Sequence, residues 1–142
     1  MQAVVLLADS AQTDPANKVH ALGLGWSVTS TPTPPSALVV LLKVPWNATN
    51  RKHSFELRLI DADGQPVMLG RDPTTGEPAP LMVQGDFEVG RPPGIPPGMA
   101  LDQAFAINLG PLPLQGGQMY EWRLEIDGHH EDAWSARFFI RP

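Results

Sequence analysis

Apolar and charged residues alternate along three segments of the chain, which places one set of side chains on each face of an extended strand. The alternation is clearest in residues 55–59 and 120–127. Residues 134–140 repeat it, and one face there carries the apolar set Trp134, Ala136, Phe138 and Ile140. Phe139 falls on the opposite face, toward solvent. The period of two predicts half-buried strands near both ends of the chain.

Other strand candidates alternate less regularly. They are residues 3–8, 18–28, 37–44, 65–69, 81–89 and 104–109. Residues 38–42 are apolar throughout, as in a strand covered on both faces, and the flanking prolines favour a strand over a buried helix. With no capped amphipathic helix in view, the pattern predicts an all-β fold, an antiparallel immunoglobulin-like Greek-key β-sandwich of about eight or nine strands. We expect residues 1–142 to form a single domain.

Tyr120 is the only tyrosine, and it stands near the start of a predicted late strand. This position is typical of a tyrosine corner, in which the hydroxyl bonds back to the upstream backbone. Trp122 follows two residues later, at the inward position where antibody-type domains carry their second cysteine. We therefore expect aromatic packing to take the place of a disulfide.

Composition and charge narrow the choice of partners. The net charge is −5, so there is no overall basic field to attract nucleic acid or an anionic membrane surface. No segment approaches the roughly eighteen apolar residues of a membrane-spanning helix, so we expect no membrane insertion.

The chain has no cysteine, which excludes disulfides and thiolate catalysis. Without a recognisable signal sequence, we expect a cytoplasmic protein.

Candidate catalytic residues are few. The densest group of potential ligands is His129 and His130, followed by two carboxylates. Adjacent residues on extended backbone point to opposite faces, whereas two ligands of one metal must converge, so a shared site needs a tight turn. There is no Gly-x-Ser-x-Gly motif and no phosphate-binding loop. We predict no cofactor and no enzymatic activity, and a metal-dependent enzyme using these two histidines is the third alternative.

Three apolar or aromatic residues stand where water is expected: Phe139 on its strand, and Trp46 and Ile95 in loops. Arg91 opens the proline-rich segment 91–98, which is either a polyproline ligand for an aromatic groove or a stiff connection. We take these four residues as a candidate interaction surface. The sequence thus predicts a non-enzymatic interaction or structural module, as a subunit of a larger assembly, that binds a protein partner or itself.

A small-ligand-binding module is the alternative. In this hypothesis the loops at one end, residues 45–53 and 91–99, form a pocket around Trp46. A pocket of this kind would give a saturable change in tryptophan fluorescence when a small ligand is added, whereas a contact surface would not.

Four segments carry a likeness to known sequences. They are Lys18-Val19-His20-Ala21-Leu22-Gly23-Leu24-Gly25-Trp26, Val44-Pro45-Trp46-Asn47-Ala48-Thr49-Asn50-Arg51, Phe87-Glu88-Val89-Gly90-Arg91-Pro92-Pro93-Gly94 and Tyr120-Glu121-Trp122-Arg123-Leu124-Glu125-Ile126-Asp127-Gly128. Through them the chain resembles, over nearly its whole length, a family of uncharacterised small bacterial proteins, mainly actinobacterial. The resemblance implies a bacterial, single-domain β-sandwich protein with no assigned activity. It supports the fold and leaves the function open.

Overall fold

Backbone pairing builds two main β-sheets in the computed structural model, which describes residues 1–142. The strands are β1 (Gln2–Ala8), β2 (Ser10–Thr13), β3 (Val19–Leu22), β4 (Val28–Thr29), β5 (Ser36–Val44), β6 (Lys52–Asp61), β7 (Gly70–Arg71), β8 (Pro78–Ala79), β9 (Met82–Glu88), β10 (Leu101–Leu109), β11 (Met119–Ile126) and β12 (Ser135–Ile140). The one helical segment is a 3-10 turn, Trp46–Ala48. The predicted all-β class is confirmed. No helix of the structure has the length and apolar character needed to cross a membrane.

The three-stranded sheet has the order β1-β5-β10, and the five-stranded sheet has the order β4-β12-β11-β6-β9. All neighbours are antiparallel except β4 and β12, which run parallel. Two short pairs, β2 with β3 and β7 with β8, lie outside the main sheets. Eight strands therefore form the two main sheets, within the predicted range.

The two main sheets contribute to one hydrophobic core. Because side chains alternate along a strand, one row of each strand points inward. The inward row of β5 is at most 2% exposed and consists of Leu38, Val40, Leu42 and Val44. The inward row of β11 consists of Tyr120, Trp122, Leu124 and Ile126. The alternation that predicted these strands also identified their buried faces.

The β2–β3 hairpin packs on the outer face of the three-stranded sheet and forms a second, smaller apolar cluster there. It buries Ala37 and Val39, which explains why residues 38–42 are apolar at every position. Leu41 is 42% exposed, so the outer face is covered only in part. The amide of Asn108 fastens the hairpin: its Oδ1 accepts from the Ala11 N–H at 3.2 Å, and its Nδ2 donates to the Ala11 carbonyl at 2.8 Å.

Two predicted strands were wrong. Residues 18–28 form two separate strands, β3 and β4, because the chain turns between them at Gly23 and Gly25, whose φ values of 64° and 92° favour glycine. Residues 65–69 form no strand. Only Pro66 makes an isolated bridge, to Ile60. The ladder does not continue because the Leu59 N–H donates to the Leu81 carbonyl, at 3.2 Å, and not to the carbonyl of Val67.

The tyrosine corner is confirmed. The Tyr120 hydroxyl accepts a hydrogen bond from the backbone N–H of Gln115 at 3.1 Å. Trp122 lies inward and is 2% exposed, between Leu59 and Ala136 on the neighbouring strands. The aromatic packing expected at this position is therefore present.

Candidate functional site

Trp46 and Arg91, two of the predicted interaction residues, contact each other at one end of the molecule. The Arg91 guanidinium carbon lies 3.9 Å from the centre of the Trp46 ring, within the range of a cation–π contact. Arg91 also donates from Nε to the Thr49 hydroxyl at 2.7 Å and from Nη2 to the Trp46 carbonyl at 2.8 Å. The guanidinium thus fastens the turn at Trp46–Ala48 to the start of the proline-rich segment.

His53 holds the same turn from the other side. It is 3% exposed and stacks on Phe87 with ring centres 5.2 Å apart. Its Nδ1 lies 2.6 Å from Asp127 Oδ2, and its Nε2 lies 2.7 Å from the Ala48 carbonyl oxygen. One imidazole therefore joins the first residues of β6, the 3-10 turn and the turn between β11 and β12.

Asp127 begins the tight turn that follows β11. Its φ is 51°, and Gly128 follows at 77°, which forms the tight turn that is typical of an Asp-Gly pair. The second carboxylate oxygen accepts from the Ser54 N–H at 2.9 Å. Partial desolvation raises the pKa of Asp127, but the hydrogen bonds from His53 and Ser54 and the attraction of His53 and Arg51 lower it by more. The net pKa lies below the ordinary value of 3.8.

A depressed pKa predicts how stability depends on pH. Asp127 stabilises the fold above its ordinary pKa of 3.8, and this contribution is lost as the pH falls through the lower folded value. We expect Asp127→Asn to have a lower urea midpoint than the wild type near neutral pH, and the two midpoints to converge in acid. Asp132→Asn, an exposed site on the same hairpin, is the control and should show no such convergence. A gap that persists unchanged down to about pH 2 would contradict the assignment.

A depression of about 280 Å³ opens at this end of the molecule. Asn47, Arg51, His129, Glu131 and Trp134 are among the residues that line it. The predicted ligand pocket drew on residues 45–53 and 91–99 around Trp46. In the structure the first of these loops lines the depression, as predicted. Residues of the segment 126–134 line it in place of residues 91–99, and Trp46 is not among the lining residues.

The two adjacent histidines do not converge. His130 Nδ1 lies 2.7 Å from the Leu124 carbonyl oxygen, whereas the His129 ring lies edge-on to Trp134 and its Nε2 is 3.6 Å from Glu131. The structure contains no group of three or more His, Cys, Asp or Glu side chains placed to hold a metal ion.

Ile95 and Phe139 lie apart from the Trp46–Arg91 contact. Ile95 is half-buried and packs against the main core. Phe139 pairs with Met119 at the first residue of β11, whereas Trp46 lies near Asp127, beyond the last residue. Eight residues of strand separate those ends, roughly 24 Å. The four predicted residues therefore do not form one patch, and a contact role for each of them stays a prediction.

Phe139 belongs instead to an apolar row on the outer face of the five-stranded sheet. It pairs with Val28 on β4 and with Met119 on β11, which are 45% and 43% exposed. Phe139 itself is half-buried, so its predicted solvent-facing position is only partly realised. The row lies at the end of the sheet opposite His53.

The buried His53–Asp127 contact was missed by sequence reasoning. The alternation of side chains along the strand could have placed His53 inward, because it shares a strand face with Phe55, Leu57 and Leu59. Its partners could not be found in this way, since Asp127 lies 74 positions away along the chain. Only the pairing of β6 with β11 brings the two together.

Comparison with known sequences agrees with one part of the expected resemblance, namely that the family is uncharacterised. No curated protein and no solved structure matches the chain. One family model matches residues 3–138, nearly the whole chain. On that match the chain belongs to a family of unknown function (DUF6941).

Proposed function

We propose that the protein is a non-enzymatic interaction or structural module that binds a protein partner or itself, as a subunit of a larger assembly. The observation that carries this proposal is the number of large apolar side chains left at the surface. Ten of them are at least 36% exposed, among them Val4 and Leu41 on one sheet and Val28 and Met119 on the other. Apolar residues grouped in rows on sheet faces are typical of contact surfaces.

The architecture proposed for this module is an immunoglobulin-like Greek-key β-sandwich made of one domain. Three features support it. The strands divide into sheets of order β1-β5-β10 and β4-β12-β11-β6-β9, in which consecutive strands such as β5 and β6 lie in different sheets. The antiparallel pair β11–β12 is flanked by β6, as F, G and C are in that fold. The bond to the Tyr120 hydroxyl supplies the third feature.

The mass of the protein in an extract of its native cells tests the proposal. We expect it to sediment well above its monomer mass of 15.4 kDa. The reason is that the extract contains its partners, and a protein that acts through its surface is bound to them there. Met119→Ser should reduce this complex if the apolar row takes part, and Leu22→Ser, an exposed leucine on the β2–β3 hairpin, is the matched control. A monomer both in the extract and after purification would contradict the proposal.

A small-ligand-binding module is the second candidate, and the depression beside Arg51 favours it. Trp134, 3% exposed, lines this depression and can report on its occupation. A saturable change in tryptophan fluorescence that is lost in Arg51→Ala would support this candidate.

A bacterial, mainly actinobacterial, source and a cytoplasmic location stay predictions.

A further inference from the structure

We propose that a second copy of this chain pairs with the free edge of β10, so that the two three-stranded sheets join into one continuous sheet across a two-fold axis. This inference rests on the proposed function and names its partner and its surface. The two-fold axis would lie at Phe105, the central residue of the nine in β10.

The free edge of β10 has no strand paired with it, although the Ala104 carbonyl accepts from the side-chain amide of Gln103 at 3.3 Å. β10 pairs with β5 on one side only, and no other strand or loop of the chain makes a backbone hydrogen bond to residues 101–109. A row of unpaired backbone groups is a template for another strand. By contrast, the free edge of β1 is already used at Leu7, whose carbonyl accepts from the Gly25 N–H at 2.6 Å.

The sequence of β10 carries few of the features that protect an edge. It contains no proline and no lysine, and Asp102 at one end is its only charge. β9, the long free edge of the other sheet, carries the carboxylates of Asp86 and Glu88. Two copies of β9 would bring four carboxylates into one interface, whereas two copies of β10 bring two, at opposite ends.

The core is also incompletely covered beside β10. Phe105 points inward, because it pairs with the fully buried Val40, yet it is only half-buried. Its ring stacks on Phe55 at 4.8 Å and meets Phe87 edge-on at 5.5 Å. The other inward side chains of β10 beyond Leu101 are half-buried as well: Gln103, Ile107 and Leu109. A strand added at this edge would cover them.

The strand is complementary to itself about Phe105. In antiparallel pairing around this residue, Ala104 lies opposite Ala106 of the second copy, and Gln103 lies opposite Ile107. Asp102 lies opposite the uncharged Asn108, so no like charges meet. The outward positions next to the axis hold two small side chains, Ala104 and Ala106, and Ala106 packs against the apolar cluster under the β2–β3 hairpin. The pairing therefore brings no like charges together at this edge.

Cysteine cross-linking tests the register, and the chain offers a clean background because it has no cysteine. Directly opposed residues of antiparallel strands have Cα atoms about 4.5–5.5 Å apart, within the span of a disulfide. We expect a mixture of purified Ala104→Cys and Ala106→Cys proteins to form, on mild oxidation, several-fold more cross-linked dimer than either protein alone. The matched control is a mixture of Gln84→Cys and Asp86→Cys, which stand in the same relation about Gly85 on β9.

Sedimentation equilibrium of the wild-type protein accompanies the cross-linking. A dimer with the mixed 104–106 disulfide supports the proposal. An oligomer in which the β9 mixture cross-links and the β10 mixture does not would show that β10 is not the contact surface. It would not contradict the proposed function. A strict monomer at every concentration would overturn the inference. The mass in native extract then decides the proposed function separately, including the case in which β10 pairs with a strand of another protein.

Discussion

Replacing Trp122 with alanine is expected to lower the free energy of unfolding by about 3–5 kcal/mol, the range for removing a buried tryptophan side chain. Trp122 is 2% exposed and lies on the central strand of the five-stranded sheet, with Leu59 and Ala136 beside it. Alanine would leave a cavity in the core, because Trp122 belongs to the main hydrophobic cluster, whose members are all buried. Urea denaturation followed by circular dichroism measures the loss.

Leu22→Ala is the control for Trp122, because Leu22 is 72% exposed and its loss should fall within about 0.5 kcal/mol. If Trp122→Ala does not fold, Trp122→Phe keeps an aromatic ring and should show a smaller but measurable loss. A change within the control's range for either variant would contradict the position of Trp122 in the core.

Replacing His53 with phenylalanine is the second large expected effect. Phenylalanine keeps the stacking on Phe87 but removes both hydrogen bonds, so the Ala48 carbonyl faces an apolar ring. Leaving such a buried acceptor without a donor costs about 1–3 kcal/mol. The loss of the contact to Asp127 adds to this, and the variant is expected to unfold at a clearly lower urea concentration.

The chain offers a matched control in its other histidine–aspartate pair. His20 Nε2 lies 2.8 Å from Asp14 Oδ2, much the same distance as in the His53 pair, but the His20 side chain is 61% exposed. Water can replace a partner lost there, so His20→Phe should leave the urea midpoint nearly unchanged. Equal effects of the two substitutions would show that burial does not set the strength of the His53 contact.

Alternation along the chain predicted most of the long strands because one face of each is buried and the other is not. It failed where a strand has few residues to show a period, as in β2 and β4, or where turns interrupt an apolar run, as in residues 18–28. The unbroken apolar run of β5 was interpreted as covered on both faces, and this holds at Val39 but not at Leu41, which is 42% exposed on the outer face. What covers its outer face, the β2–β3 hairpin, was not predicted, because a four-residue strand such as Ser10–Thr13 gives almost no signal.

The candidate site was harder to predict than the fold. Trp46 and Arg91 were both selected, one as an exposed aromatic and one as the flank of a proline-rich segment, and the structure brings them into contact. Phe139 was placed with them, although it lies at the far end of the sheet. Spacing along the chain says which face a residue occupies on its own strand. It does not say which residues of other strands lie beside it, and this depends on strand order.

Strand order also decides which edges are free. The sequence of β10 is unremarkable as a strand and gave no sign that it would lie at the edge of its sheet. The role of β10 follows only from the pairing, since β5 pairs with one side of it and no strand pairs with the other. The free edge, rather than a motif, is what the proposed self-association depends on.

Hydrogen exchange of the β10 amides at low and high protein concentration tests this self-association most directly. The account predicts that amides of residues 101–109 that face away from β5 exchange rapidly in dilute protein and become protected as the concentration rises. The β9 amides that face away from β6 should exchange at the same rate throughout. Exchange along β10 that does not change with concentration would contradict the account.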